Sequence, residues 1–158
     1  MIHQEQEEQA STATQEVKTR GETDEVIIAN ILQHVPGWSE AVQAPEQVEI
    51  SQLNGLSNAC YRVNLKSDVL LPPNCQSPRK LLYRKFECEV VDKQVEAALF
   101  RCMSEAGLGP LLIHGSNLFR IEGFIEGRPL TIWEMRNPII MEETVKAIYD
   151  FHNNNRAI

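Results

Sequence analysis

An arginine interrupts a segment that otherwise has the pattern of a simple amphipathic strand, and few folds accommodate such a charge. Residues 80–86 alternate with a period of two, which predicts a β-strand. One face of this strand would place Arg84 between Leu82 and Phe86. Residues 92–105 repeat apolar side chains at three- and four-residue spacing, which predicts a helix with Glu96 in its apolar stripe.

These two misplaced charges predict an ion pair. Burying either charge alone would cost roughly several kcal/mol, whereas burying both with hydrogen bonds between them is tolerable. We therefore expect Arg84 to meet Glu96. The alternative is that Arg84 extends to a sheet edge and Glu96 tilts into solvent. A strand cation held by a helix carboxylate is also what an ATP site needs, because the carboxylate fixes the cation where triphosphate oxygens arrive.

Length and charge limit the number of domains and the kinds of partner that this protein can have. The 158 residues are enough for one domain with a real core and too few for two of ordinary size. The net charge of -7 is concentrated in residues 1–25, which hold seven acids and two bases. Nucleic-acid binding and binding to anionic membranes are therefore not expected as main roles.

The cysteines and the hydropathy pattern predict a cytoplasmic protein. Four cysteines stand 15, 13 and 14 residues apart, without a C-x-x-C pair or a histidine at metal-ligand spacing, so we expect reduced thiols and no metal site. No apolar run approaches the roughly 18 residues of a membrane helix, so no membrane insertion is expected. The N-terminus also lacks the apolar core of a signal peptide.

Turn and cap signals set the order of the elements. Residues 1–23 are rich in Gln, Glu, Ser and Thr and lack aromatic residues, which predicts a disordered acidic tail. The predicted elements are helix 24–35, strands 47–53 and 59–65 joined by a hairpin loop at 54–58, loop 66–79, strand 80–86, helix 92–105, strands 111–114 and 118–124, connector 126–129, and a last helix from Pro138 to about residue 152. The fold class is thus α+β, a five-stranded antiparallel sheet with one helix packed on it.

Five segments in this order resemble the choline/ethanolamine kinases. They are Asn-Gly-Leu-Ser-Asn at 54–58, Leu-Tyr-Arg-Lys-Phe at 82–86, Glu-Ala-Ala-Leu-Phe at 96–100, Ser-Glu-Ala-Gly-Leu-Gly-Pro at 104–110 and Glu-Gly-Phe-Ile-Glu-Gly-Arg-Pro-Leu at 122–130. The resemblance runs from about residue 48 to 152 and implies the N-terminal, ATP-binding lobe of a protein-kinase-like fold. It implies that 24–125 form this lobe, and that 126–158 form a hinge connector and a first helix leading to a second lobe.

The resemblance also implies roles for individual residues. The loop with Gly55, Ser57 and Asn58 would cover the ATP phosphates, together with Arg84. Glu96 would be the helix partner that orients Arg84. A hinge of Gly123, Phe124 and Ile125 would hold adenine through backbone groups. Two positions depart from the family pattern. Asn54 stands where the first glycine is usual, and Gly123 stands where Glu or Gln is usual, so a side-chain contact to adenine would be lost.

The second lobe is what this sequence lacks. In the family, the catalytic base, the carboxylates that bind Mg²⁺ and the walls of the substrate pocket come from that lobe. We therefore expect neither catalytic residues nor metal ligands in this chain, and no turnover by the chain alone. With its second lobe, supplied by a longer protein or a complementary chain, the enzyme would transfer the γ-phosphoryl of ATP to choline or ethanolamine for phospholipid synthesis.

Other functions are compatible with the same residues. One is a related small-molecule kinase of the aminoglycoside type, and another is a non-catalytic interaction module that uses the lobe for docking. The sequence does not choose choline over ethanolamine, because the residues that line that pocket would lie on the other lobe. A homodimer is a further expectation from the resemblance.

Overall fold

The structure, a computed structural model, describes residues 22–54, 58–87 and 92–153. Its helices and strands follow the predicted order, with short helices added between them. They are α1 (Asp24–His34), α2 (Trp38–Ala41), a 3₁₀ turn (Pro45–Gln47), β1 (Val48–Leu53), β2 (Asn58–Leu65), β3 (Lys80–Phe86), α3 (Lys93–Glu105), β4 (Leu112–Gly115), β5 (Phe119–Gly123), α4 (Ile132–Met135) and α5 (Pro138–Asn153). Among the described residues, no helix combines the length and apolar character that crossing a bilayer would take.

The five strands form one antiparallel sheet, which confirms the predicted fold class. Their order across the sheet is β1-β2-β3-β5-β4, so β3 lies at the centre and β4 at an edge. The central ladder sets Tyr61 opposite Tyr83 and Tyr83 opposite Ile121. Because side chains alternate along a strand, these three residues share one face of the sheet, and the residues between them share the other.

The core lies on the first of these faces, under α1. Ile27 and Ile31, one helical turn apart, are fully buried there against Leu81 and Tyr83 of β3. We name this side the core face. Trp38 of α2 is also fully buried and donates its indole N–H to the carbonyl of Pro78 at 3.2 Å. The two helices that follow the N-terminal segment are therefore an integral part of this lobe.

Helix α3 forms where the sequence predicts a helix, but its apolar stripe is not buried. The apolar stripe of 92–105 was expected to be buried, yet α3 contains no buried residue. Val95 is 63% exposed and Leu99 is 58% exposed. The periodicity identified the helix and its limits. Asp92 is the N-cap, and its carboxylate accepts hydrogen bonds from the amides of Gln94 and Val95. Periodicity does not tell whether the partner of an apolar stripe lies in the same chain.

Glu22, two residues before α1, is held against the sheet. The predicted tail, residues 1–23, lies outside the described residues except for Glu22 and Thr23. The carboxylate of Glu22 accepts a hydrogen bond from the hydroxyl of Tyr83 at 2.5 Å and pairs with Lys85 at 3.3 Å. Its amide donates to the hydroxyl of Tyr61 at 3.0 Å. These contacts fix the start of α1 on the core face.

Candidate functional site

The second face of the sheet carries charged side chains, and we name it the polar face. The strand alternation places Arg62 of β2, Arg84 of β3, and Arg120 and Glu122 of β5 on this side. Arg120 and Glu122 are the buried charged residues of the described chain, at 6% and 1% exposure. A buried carboxylate requires cationic or hydrogen-bonding partners, and here two arginines supply them.

The ion pairs on this face form a chain that differs from the predicted pair. Glu122 Oε1 accepts from Arg84 Nε at 3.1 Å and from Arg120 Nε at 2.8 Å. Arg120 Nη1 in turn donates to Glu96 Oε1 at 3.2 Å. The prediction that Arg84 pairs directly with Glu96 is therefore wrong, although both belong to one connected set of charges.

The register of the strands explains this correction. Arg84 stands directly opposite Arg120, and its diagonal neighbour on β5 is Glu122. Diagonal neighbours are roughly 7 to 8 Å apart, a distance that two long side chains can bridge, so Arg84 finds a carboxylate within the sheet itself. Glu96 approaches from the helix and meets Arg120 first. Two arginines opposite each other would repel, and Glu122 reduces this repulsion by pairing with both.

Arg120 also attaches helix α3 to the sheet. Its guanidinium carbon lies 3.7 Å from the centroid of the Phe100 ring, and 5.5 Å from the ring of Phe86. Phe100 and Glu96 are one helical turn apart on α3, so a single arginine contacts both through a cation–π stack and an ion pair. Because α3 has no buried apolar residue, this polar contact is a main attachment of the helix.

The surrounding charges keep Arg84 ionised. Burial, the largest single influence, lowers the pKa of the Arg84 guanidinium, but Glu122, Cys60 and Glu96 together raise it by more, so the pKa lies above its ordinary value. Burial raises the pKa of the neighbouring Cys60 thiol, an effect that Arg84 opposes. Cys60 is therefore a protonated, buried thiol at neutral pH, while Arg84 is a permanent cation.

Arg84 keeps part of its donor set available. It uses Nε for Glu122, and no hydrogen bond among the described residues involves its two terminal nitrogens. Its side chain is 28% exposed, so these nitrogens can meet a ligand. An arginine fixed at one nitrogen presents the remaining donors in a known plane, which suits a multi-oxygen anion such as a phosphate.

Of the three loop residues predicted to cover the phosphates, Asn58 alone lies within the described residues. Gly55 and Ser57 lie outside the described residues. Asn58 begins β2 opposite Phe86, and its side-chain oxygen accepts from the amide of Glu87 at 3.4 Å. Asn58 and Arg84 therefore lie on neighbouring strands, near the end of the sheet where the hairpin loop between β1 and β2 begins.

The predicted hinge follows β5 directly. The amide of Gly123 donates to the carbonyl of Leu111 at 2.8 Å, and that of Phe124 to the carbonyl of Lys80 at 3.1 Å. Ile125 is 66% exposed, and no backbone hydrogen bond among the described residues uses its amide. The ring of Phe124 lies 5.9 Å from the Arg62 guanidinium, so it faces the polar side of the sheet.

Sequence reasoning missed Arg120 and Glu122. The strand 118–124 was predicted, and a period-two pattern puts both residues on one face of it. That signal was available. What it could not supply is the strand order, because β5 follows β4 in the chain but pairs with β3 across the sheet. Without that pairing, neither residue has a reason to approach Arg84.

Comparison with known proteins gives the family. The family model described as choline/ethanolamine kinase matches residues 50–156, more than half of the chain. The chain belongs to the choline/ethanolamine kinase family. The human choline/ethanolamine kinase is 31% identical over 112 residues, which cover 68% of this chain and 28% of the human protein. The rat choline/ethanolamine kinase is 30% identical over 119 residues, covering 73% of this chain and 29% of the rat protein.

Solved structures of the family have the same fold. A choline kinase from Cryptosporidium parvum Iowa II superposes with a TM-score of 0.66 at 28% identity, covering 79% of this chain and 33% of that one. An ethanolamine kinase from Plasmodium vivax has a TM-score of 0.60 at 17% identity, covering 89% and 37%, and supports the fold alone. This choline/ethanolamine kinase family chain thus spans less than a third of its human and rat relatives.

The donor set of this chain suits a nucleotide phosphate better than a metal ion. The polar face offers guanidinium groups, which bind phosphate oxygens. Within residues 22–54, 58–87 and 92–153, no group of three or more His, Cys, Asp or Glu side chains is placed to hold a metal ion. We therefore assign no Mg²⁺ ligand to the described residues.

Proposed function

We propose that this chain is the ATP-binding lobe of a cytoplasmic choline/ethanolamine kinase. The complete enzyme would transfer the γ-phosphoryl of ATP to the hydroxyl of choline or ethanolamine, in the route to phospholipids through CDP-choline or CDP-ethanolamine. The observation that carries the proposal is Arg84, a cation on the polar face. Glu122 holds it by Nε, and in the part of the chain that the structure describes no hydrogen bond uses its terminal nitrogens. Membership of a kinase family makes a nucleotide phosphate the natural ligand of that cation.

In this proposal the phosphates lie at the hairpin end of the polar face. Arg84 binds phosphate oxygens, and the loop with Gly55, Ser57 and Asn58 covers them from above. Backbone amides in such a loop give directed hydrogen bonds, and glycine allows the backbone to come close. Glu96 contributes through Arg120 and not by direct contact with Arg84.

Adenine lies at the hinge in this proposal. The amides of Gly123 and Phe124 are used inside the protein, by Leu111 and Lys80. We infer that the amide of Ile125 is the hinge donor to the base, and that the carbonyl of Gly123 is the acceptor. Phe124, on the polar face, provides an apolar surface beside the base, and its ring already lies near Arg62.

Replacing Arg84 tests the proposal. Arg84→Met keeps much of the side-chain volume and removes the charge, so ATP binding should weaken by roughly tenfold or more, the size of one charge-assisted hydrogen bond. Isothermal titration with ATP gives the affinity, and thermal unfolding gives the melting temperature of the same variant. Arg101→Met is the matched control, because Arg101 lies on the exposed side of α3.

The proposal requires the melting temperature to change much less than the affinity. A variant whose loss of ATP binding is fully accounted for by unfolding would make Arg84 a structural residue. Failure of the unaltered chain to bind ATP at all would contradict the nucleotide-binding function itself.

The reaction itself requires the second lobe in this proposal. The base, the Mg²⁺ ligands and the choline or ethanolamine pocket would lie there, on a longer protein or a complementary chain. Exposed apolar residues on α3 and α5, such as Leu99 and Ile148, offer a surface for that lobe or for a homodimer partner. We expect no phosphocholine or phosphoethanolamine from ATP and the purified 158-residue chain, and turnover in that assay would contradict this part of the proposal.

A further inference from the structure

The polar face contains an alternating row of four charges that links a helix to the candidate phosphate-binding arginine. In order, the row is Glu96 on α3, Arg120 and Glu122 on β5, and Arg84 on β3. The exposed fraction of the side chain alone falls from 35% and 28% at the two ends of the row to 8% and 1% in the middle. The two central charges are therefore the ones that depend most on their neighbours.

Glu122 has a geometry that orients Arg84. One oxygen, Oε1, accepts from the Nε atoms of both arginines, at 3.1 Å from Arg84 and 2.8 Å from Arg120. Because the guanidinium group is planar, anchoring Nε restricts the directions in which the two terminal nitrogens can point. Without this carboxylate, Arg84 would face the positive charge of Arg120 directly across the strand pair.

Arg120 has a geometry that connects α3 to this pair. It holds Glu96 by Nη1 at 3.2 Å and Glu122 by Nε at 2.8 Å, and it stacks on the ring of Phe100. A shift of α3 would therefore move Arg120 and, through the shared oxygen of Glu122, the nitrogen that anchors Arg84. No direct hydrogen bond between Glu96 and Arg84 is available for this coupling among the described residues.

We propose that Glu122 and Arg120 are positioning residues for nucleotide binding: Glu122 orients Arg84, and Arg120 transmits the position of Glu96 to it. This inference rests on the proposed function, since it assigns the machinery that sets the phosphate-binding arginine. It makes the influence of the helix carboxylate indirect, and it predicts that the influence ends when Glu122 loses its charge.

We call this coupling, from Glu96 through Arg120 and Glu122 to Arg84, the relay. A double-mutant cycle measured by ATP titration tests it. Glu122→Gln keeps the shape of the side chain and should weaken ATP binding by roughly tenfold to a hundredfold. Glu96→Gln should weaken it by a smaller factor in the otherwise unaltered chain. In the Glu122→Gln background, adding Glu96→Gln should change the ATP affinity by less than about twofold, which is the size of deviation from additivity that even independent sites show. If the double variant weakens ATP binding by the product of the two single factors, the two residues act independently and the relay is overturned.

The control variant removes a carboxylate that pairs outside the polar face. Glu143 is an exposed residue of α5 whose side chain lies 3.0 Å from Lys146. Glu143→Gln changes the net charge by the same amount as Glu122→Gln and should leave the ATP affinity unchanged. An equal loss of affinity in this control would show that total charge, and not the row of charges, sets the affinity.

A second measurement reads the orientation of Arg84 without ATP. The Nε–H of Arg84 should give a slowly exchanging ¹H–¹⁵N signal, assigned by its loss in Arg84→Lys. Glu96→Gln, a change at a partly exposed site, should shift this signal through the relay, and Glu143→Gln should not. If the Arg84 signal has the same chemical shift in Glu96→Gln as in the unaltered chain, the inference is overturned. This measurement decides the inference even if Glu122→Gln is too unstable to titrate.

The two measurements separate the inference from the proposed function. If the unaltered chain does not bind ATP, the proposed function fails, and the Arg84 signal still shows whether the relay orients the side chain. If the unaltered chain binds ATP and Glu122→Gln binds it equally well, the inference fails and the proposed function stands.

Discussion

Single residues on the core face show how a polar group can fix an apolar helix in place. Tyr83 is fully buried, and its hydroxyl donates to the Glu22 carboxylate and accepts from the Asn30 side-chain amide at 2.9 Å. Tyr83 of the central strand is therefore linked both to Glu22, which precedes α1, and to Asn30 in the middle of α1. Its ring stacks on Phe119 with centroids 5.1 Å apart, so its apolar part contributes to the core as well.

Removing the Tyr83 hydroxyl should destabilise the lobe. Tyr83→Phe leaves the partners at Glu22 and Asn30 without their shared hydrogen-bonding group, at a cost of about 1 to 3 kcal/mol in the free energy of unfolding. Urea unfolding followed by circular dichroism measures this cost. Tyr149→Phe, on exposed α5, is the control and should change little. A loss in Tyr83→Phe no larger than that of the control would mean that the cluster does not stabilise the fold.

The same tyrosine makes the free energy of unfolding depend on pH in the alkaline range. Burial and then the hydrogen bond to Glu22 raise the pKa of Tyr83 above its ordinary value. Above about pH 10 the unfolded chain therefore loses this proton first and binds fewer protons than the folded chain, so stability falls as pH rises. Tyr61 and Cys60 titrate in the same direction but remain in Tyr83→Phe. The variant should lose stability less steeply above pH 10, and parallel curves would contradict this.

At the scale of elements, the junction between α1 and α2 is fitted closely to the loop before β3. Gly37 adopts a left-handed conformation with φ of +76°. A Cβ atom at this position would lie 2.5 Å from the sulfur of Cys75, which itself donates to the carbonyl of Pro36. The loop is closed further by Arg79, whose guanidinium donates to the carbonyls of Lys66 and Val69.

Two glycine substitutions separate strain from steric clash. Gly107, after α3, has a similar φ of +71°, but no atom of the residues that the structure describes lies within 4 Å of an added Cβ. Gly107→Ala should cost about 1 to 2 kcal/mol from the left-handed backbone alone. Gly37→Ala should cost more, because the added methyl group also displaces Cys75. Urea unfolding of both variants measures the difference. Equal losses in the free energy of unfolding would show that the loop containing Cys75 moves aside without destabilising the fold.

The elements also show what the sequence could and could not predict. Alternation and turn signals located all five strands, because those signals are local. The 92–105 periodicity located α3 but not its environment, since Val95 and Leu99 point away from the described chain. The short helices α2 and α4 were missed, because four residues carry too little periodicity to be detected.

At the scale of the whole molecule, the sheet separates a packed side from a charged side. The core face is closed by α1 and α2, whereas the polar face carries Arg62, Arg84, Arg120 and Glu122. The sequence indicated the polar face through Arg84 and Glu96, because both charges conflicted with the apolar residues around them in the pattern. It could not indicate the two residues between them, because these are brought in by a strand pairing that skips β4.

One titration tests the division of the sheet most directly. The side-chain N–H signals of Arg84 and Trp38 are compared in ¹H–¹⁵N spectra of the unaltered chain as ATP is added. Arg84 lies on the polar face, and the indole of Trp38 lies in the core and donates to Pro78. The account predicts that the Arg84 signal shifts until ATP saturates and that the Trp38 signal does not move. A shift of Trp38 with Arg84 unmoved would place the nucleotide elsewhere and contradict the account.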